Sequence, residues 1–269
     1  MMHSAIRAVG FLLVMTCSLP VYAQASSGGI DQELYDRFLS MRIGDGEPVF
    51  WYFIGTSKAY PSGELLSVFE GIDIGRRVTK PDEPDVVYQL SRKIYIHREP
   101  ETGQVIEEMN GKPVPVTKYP YQLIRYQLVG DELAATVEQG RRPNLRTIGP
   151  VAGMTARRIG NVAQYSAPLF IAAPLPEGGV IEHFENYDFF AQPDSVDKHD
   201  RYQLSWVGYG HSPPLNNGGP VLKHLVAWRT DSFEGLPDSI KQYVRKQAPL
   251  WMEPPKDFEE IYELQKAHP

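Results

Sequence analysis

Hydrophobic and polar residues alternate with a period of two through most of the chain, and only stretches near its two ends repeat with the period of a helix. Asp31 opens the first helical stretch as an N-cap, with Leu34, Phe38 and Met41 on one face. From Pro48 the pattern changes. Residues 49–53 form a dense β-prone run, and residues 65–78 form a second, with Gly71 and Gly75 placed where bulges are expected. The cleanest alternation lies between Asp85 and Glu138. There Val86, Tyr88 and Leu90 alternate with Gln89 and Ser91, and Ile94 and Ile96 alternate with Lys93, which predicts strands with one apolar and one wet face. Turns at Glu101-Thr102-Gly103, Asn110-Gly111 and Gly130-Asp131 join these runs. Asn-Gly favours a type I′ hairpin because both central residues need positive φ, so the strands on either side are antiparallel neighbours.

Residues 139–153 are rich in Gly and Pro and read as a connection. Strand grammar then resumes over residues 161–172, 179–191, 201–211 and 221–230. Near the end, Pro237 starts a helix with Ile240, Tyr243 and Val244 on one stripe, and Phe258, Ile261, Tyr262 and Leu264 mark another. Short strands without βαβ alternation predict a mainly β fold. The expected form is an antiparallel β-barrel of the lipocalin-like or calycin-like kind, or a curled sandwich. It is expected as one domain over residues 45–269, preceded by a segment at 24–44 carrying the short helix and flanked by the C-terminal helices.

The first 23 residues have the grammar of a secretory signal peptide: Arg7, an apolar run at 8–15 too short to span a bilayer, Pro20, and small residues ending at Ala23. An exported, periplasmic protein is therefore expected. Lipidation of Cys17 fits less well, because Met15 and Thr16 stand where smaller residues are needed. Cys17 is the single Cys, so the mature chain is expected to have no disulfide. No later segment is long enough for a transmembrane helix. With 27 Lys+Arg against 33 Asp+Glu, the formal charge of −6 gives no cationic excess for a phosphate backbone, and no nucleic-acid partner is expected.

Nucleophile-elbow, Walker A, H-E-x-x-H and G-x-G-x-x-G signatures do not occur, so no cofactor is expected. His183 and Glu185 share a strand face and could bind a metal with His211 and His224, but no further ligand spacing supports this, and no metal is assigned. A stronger pattern is the mixture of aromatic and ionisable residues along three strands: Ile181, His183, Glu185, Tyr187 and Phe189, then Ser205, Tyr209 and His211, then His224, Val226 and Trp228. Directed into a barrel, these would enclose an apolar-walled chamber for an aromatic or other hydrophobic small molecule. The expected acid–base groups are His183, Glu185, Tyr187 and His211, with Arg125 as oxyanion partner. Tyr126, Trp206, Tyr209, His224 and Trp228 would line the walls. Trp206 and Tyr209 can both face inward only if Gly208 or Gly210 makes a bulge. This constellation predicts a cofactor-independent lyase or isomerase acting on an aromatic compound, of the kind derived from lignin, or another hydrophobic molecule. The alternative is a non-catalytic periplasmic carrier of a hydrophobic ligand. A third reading, a structural or protein-interaction domain, predicts a filled barrel and an exposed apolar patch.

Three stretches resemble the bacterial and fungal family called domain of unknown function 1838. They are Asp45-Gly46-Glu47-Pro48-Val49-Phe50-Trp51-Tyr52, the run Leu90-Ser91-Arg92-Lys93-Ile94-Tyr95 leading to Glu101-Thr102-Gly103-Gln104-Val105, and the ending from Leu236-Pro237-Asp238 to Pro254-Pro255. The resemblance spans residues 45–255. It implies an export-compatible, β-rich single domain and supplies no catalytic residues.

Overall fold

The structure is a computed structural model that describes residues 29–142, 145–174, 180–195, 201–212 and 214–267. The expected signal peptide lies outside these residues. The strands are β1 (Val49–Ala59), β2 (Leu65–Lys80), β3 (Glu83–Arg98), β4 (Glu108–Met109), β5 (Lys112–Pro113), β6 (Thr117–Val129), β7 (Glu132–Arg142), β8 (Leu145–Ile159), β9 (Val162–Pro174), β10 (Val180–Ala191), β11 (Tyr202–His211) and β12 (Pro220–Thr230). All except β4 and β5 close into one antiparallel barrel in the order β1-β12-β11-β10-β9-β8-β7-β6-β3-β2. The expected barrel is therefore present. β4 and β5 pair as the predicted Asn-Gly hairpin, with Asn110 and Gly111 at φ 55° and 70°.

Two local expectations change. The stretch read as a connection contains most of β8, whose Pro150 and glycines are accommodated by register shifts on β7 and by a left-handed Gly153 at φ 52°. Pairing runs unbroken through Gly71 and Gly75. The shifts in β2 pairing fall at Ser57/Lys58 and Thr79/Lys80 instead. Gly71 serves close packing, because a Cβ there would collide with the Phe53 ring.

Helix α1 (Gln32–Ile43) begins as the sequence predicts, with Asp31 Oδ1 accepting from the Leu34 N–H at 2.8 Å. Its position was not predicted. Phe38 is 5.5 Å from the Tyr126 ring, 5.2 Å from Tyr165 and 5.6 Å from Phe189, on β6, β9 and β10. One side chain can touch these strands only from between the walls, so α1 lies inside the barrel, at the end where β1 begins. Leu34, Leu39 and Met41 extend this packing to Trp51, Phe53 and Ala227. Each large side chain buried here contributes roughly 1.5–3 kcal/mol. The walls also hold the carbonyls that a helix C-terminus leaves unpaired. Arg229 donates to the carbonyls of Ser40 and Met41 at 2.6 and 3.0 Å, and Trp51 Nε1 donates to that of Arg42 at 3.1 Å. Arg42 pairs with Asp73 of β2 at 2.7 Å, both buried.

The C-terminal segment covers part of the outer wall. Helix α2 (Asp238–Gln247) and a short turn of helix at Pro249–Met252 bring Ile240, Val244 and Trp251 onto Ile72, Ile74, Ile94 and Ile96. Helix α3 (Phe258–Ala267) seats Ile261 against Leu90 and Tyr121. Arg92 fixes this segment by donating to the Pro120 and Glu253 carbonyls at 3.2 and 2.7 Å and by pairing with Glu260. The uncovered wall of β9–β12 mixes exposed apolar side chains, Phe170, Tyr209, Leu222 and Val226, with polar groups. Asn186 Nδ2 donates to Asp188 at 2.7 Å, Gln164 to Asp188 at 3.3 Å, and Ser205 meets His224 at 3.2 Å. No described helix is long and apolar enough to cross a membrane.

Candidate functional site

At the end opposite α1, the inner wall sets a row of polar groups among aromatic side chains such as Phe69, Tyr95 and Trp206. Strand register places Glu185 beside Gly208, Gly208 beside Lys223, Lys223 beside Ser57, and Ser57 beside Ser67. Each lies on the inward face, because residues two apart in its strand pack around α1. His97 of β3 completes the row, its Nδ1 lying 2.9 Å from Ser67 Oγ. Further inward residues are Lys93, stacked 5.8 Å over the Tyr119 ring, and Tyr95, which packs on Phe53, Phe69 and His97. Ser57, Ser67 and His97 are buried, whereas Lys93, Tyr95, Trp206 and Lys223 retain exposure although they face the barrel axis.

Glu185 is the best-coordinated group in this belt. His183 Nε2 lies 2.9 Å from Oε1, while Tyr187 Oη and Trp206 Nε1 donate to Oε2 at 2.5 and 3.1 Å. Burial alone would raise its carboxyl pKa, but the hydrogen bonds from His183 and Tyr187 prevail and hold it down to about 2. The Tyr187 phenol is pushed well above its ordinary value by burial and by the adjoining carboxylate. Glycines permit this arrangement. A Cβ on Gly208 would collide with the Trp206 ring, and one on Gly210 with His183. His97 moves downward to about 3, through burial and the nearby charge of Lys223, so its ring is neutral near pH 7.

The structure brings together His183, Glu185, Tyr187 and Trp206 and separates the other expected site residues from them. Tyr126 faces inward at the α1 end, donating to Gln89 Oε1 at 2.9 Å within the filled core. Arg125 faces outward and contacts Gln127 and Glu83. Tyr209 packs against Tyr60, His211 Nδ1 lies 2.8 Å from the Gly218 carbonyl, His224 meets Ser205, and Trp228 stacks on Tyr52, all on the outer wall. No bulge occurs at Gly208 or Gly210, so alternation keeps Trp206 inside and Tyr209 outside. His211 and His224 therefore cannot share a metal with His183 and Glu185. Lys93, His97, Lys223, Ser57 and Ser67 were not anticipated. Alternation predicts a wet outer face at Lys93, whereas the fold turns that face of β3 into the barrel.

The expected lyase or isomerase, and the alternative hydrophobic carrier, are corrected here. The apolar half of the barrel is occupied by α1, leaving no greasy chamber there. Glu185 and Tyr187 hold an ionised carboxylate and a protonated phenol far from the pKa range of proton exchange near neutrality.

No protein-family profile and no curated protein matches the chain. A comparison with solved structures matches the β domain of the Bordetella autotransporter Brka at 10% identity, covering 69% of this chain and 99% of that chain, with a TM-score of 0.24. That likeness carries no functional assignment, and it lends no support to the corrected readings.

Proposed function

We propose that the protein is an exported binding barrel, working in the periplasm, that admits a small polar ligand to the half of its interior not filled by α1. The observation supporting this reading is the inward belt of Glu185, Lys223, Ser57, Ser67 and His97, on a wall where solvent still reaches Lys93, Trp206 and Lys223. A barrel built only for stability would be expected to fill both halves with apolar side chains, since burying polar groups costs free energy unless each is satisfied. Glu185 is held rigidly by three donors and forms a fixed wall of the site. The resemblance to domain of unknown function 1838 belongs to this proposal as a family placement and adds no role for any residue.

Titration of the mature protein with sugars, polyols, amino acids, small carboxylates and phosphates tests the reading by tryptophan fluorescence. A saturable response to one polar class, absent in Trp206→Phe, is the predicted result. Preferential binding of alkanes or fatty acids, or no binding at all, contradicts it.

A further inference from the structure

Resting on the polar-chamber reading above, we propose that its ligand carries a small oxyanion, a carboxylate or phosphate group, seated on Lys223, Ser57 and His97. The inward charges are unequal. Arg42 and Asp73 neutralise one another at 2.7 Å. Lys93 stands opposite Asp73 in the β2–β3 register and acts electrostatically on Glu185. Lys223 remains: among the described residues it has no carboxylate within ion-pair reach, and the nearby titratable group it acts on is the neutral His97. Arg229, the other inward cation without a carboxylate, is taken up by the Ser40 and Met41 carbonyls of α1, so Lys223 is the inward cation left without a partner among the described residues.

The neighbours of Lys223 are suited to an anion. Ser57, directly across the β1–β12 pair, is fully buried, and its Oγ has no hydrogen-bond partner. An unsatisfied buried hydroxyl costs about 1–3 kcal/mol and calls for an explanation. Next in the row, Ser67 contacts His97 Nδ1 at 2.9 Å. With the Ser67 hydroxyl donating there, the neutral ring carries its proton on Nε2 as a donor. An ammonium, a free hydroxyl and, in that tautomer, an imidazole N–H lie on one wall. Charge-assisted hydrogen bonds of this kind favour an oxyanion over a neutral ligand. Glu185 offers a cation no comparable opening, because its oxygens already accept from His183, Tyr187 and Trp206.

The test compares acetate with its neutral isostere acetamide, and inorganic phosphate with glycerol, by calorimetric titration of the intact protein at matched ionic strength. Sugars and amino acids are titrated in parallel. Acetate or phosphate should bind and the neutral member of its pair should not; which anion binds more tightly distinguishes a carboxylate ligand from a phosphate one. Lys223→Met should weaken that binding by about tenfold or more, and Ser57→Ala by about threefold, the losses expected for a charged and a neutral hydrogen bond. The wild-type comparison of isosteres needs no variant, so the test stands if Lys223→Met does not fold. Equal binding of acetate and acetamide, or undiminished anion binding by folded Lys223→Met, overturns the inference. Binding of a sugar or polyol without any anion also overturns it while leaving the polar-chamber reading intact. Binding of no compound overturns both.

Discussion

His97 and Glu185 give the inner wall a defined response to acid. The His97 pKa of about 3 lies below its ordinary value of 6.5, so the unfolded chain takes up this proton first. Its contribution to stability is complete above about pH 6.5 and is lost as pH falls toward 3. Glu185, held at about 2 against an ordinary 4.5, contributes fully above pH 4.5 and loses that contribution toward pH 2. Both act in the same direction, each at up to about 1.4 kcal/mol per pH unit. Urea denaturation at a series of pH values should show stability declining from about pH 6.5. His97→Asn should flatten the slope between 6.5 and 4.5, and Glu185→Gln the slope below 4.5. Unchanged slopes in both variants would contradict these assignments. At the other end of the barrel, Asp73→Asn leaves Arg42 buried without its counter-charge and should cost about 3–5 kcal/mol in the same assay. Loss of less than about 1 kcal/mol would mean that the pair is not buried as described.

At the scale of elements, α1 and the C-terminal helices explain both what was legible in the sequence and what was not. The period-two pattern located most strands, and Asp31, Pro237 and the Asn110-Gly111 turn marked boundaries that the fold uses. Alternation alone does not say which face is inside when a barrel has apolar contacts on both surfaces. Ile94 and Ile96 are apolar because α2 and Trp251 cover them from outside, so the alternating residues Lys93, Tyr95 and His97 project inward. On β10 the familiar assignment holds, and His183, Glu185 and Tyr187 do converge. On β11 and β12 Trp206 turns inward, whereas Tyr209, His211, His224 and Trp228 belong to the outer face. β8 was hidden by Gly and Pro residues that reading along the chain takes for a loop. Phe38→Ala should cost about 3–5 kcal/mol in denaturant unfolding, as expected when a large core side chain is removed. A value below about 1 kcal/mol would place α1 outside the barrel. Truncation after Thr230 uncovers Ile72, Ile74, Ile94 and Ile96 together and should yield an aggregating protein by light scattering. A soluble, monomeric truncation product would show that the C-terminal segment does not cover that wall.

The whole molecule is a barrel with its own helix inside one end and, toward the other, the inward row of Glu185, Lys223, Ser57, Ser67 and His97 set among aromatic side chains. Cysteine accessibility tests this division most directly. In a Cys17→Ser background, Lys93→Cys and Lys223→Cys should react with a small methanethiosulfonate reagent within about tenfold of the rate for the exposed position Lys58→Cys. Ala167→Cys, buried beside α1, should react at least about a hundredfold more slowly. Lys93→Cys and Lys223→Cys as inert as Ala167→Cys would show that the half opposite α1 is packed solid, and the proposed binding site would have no interior to occupy.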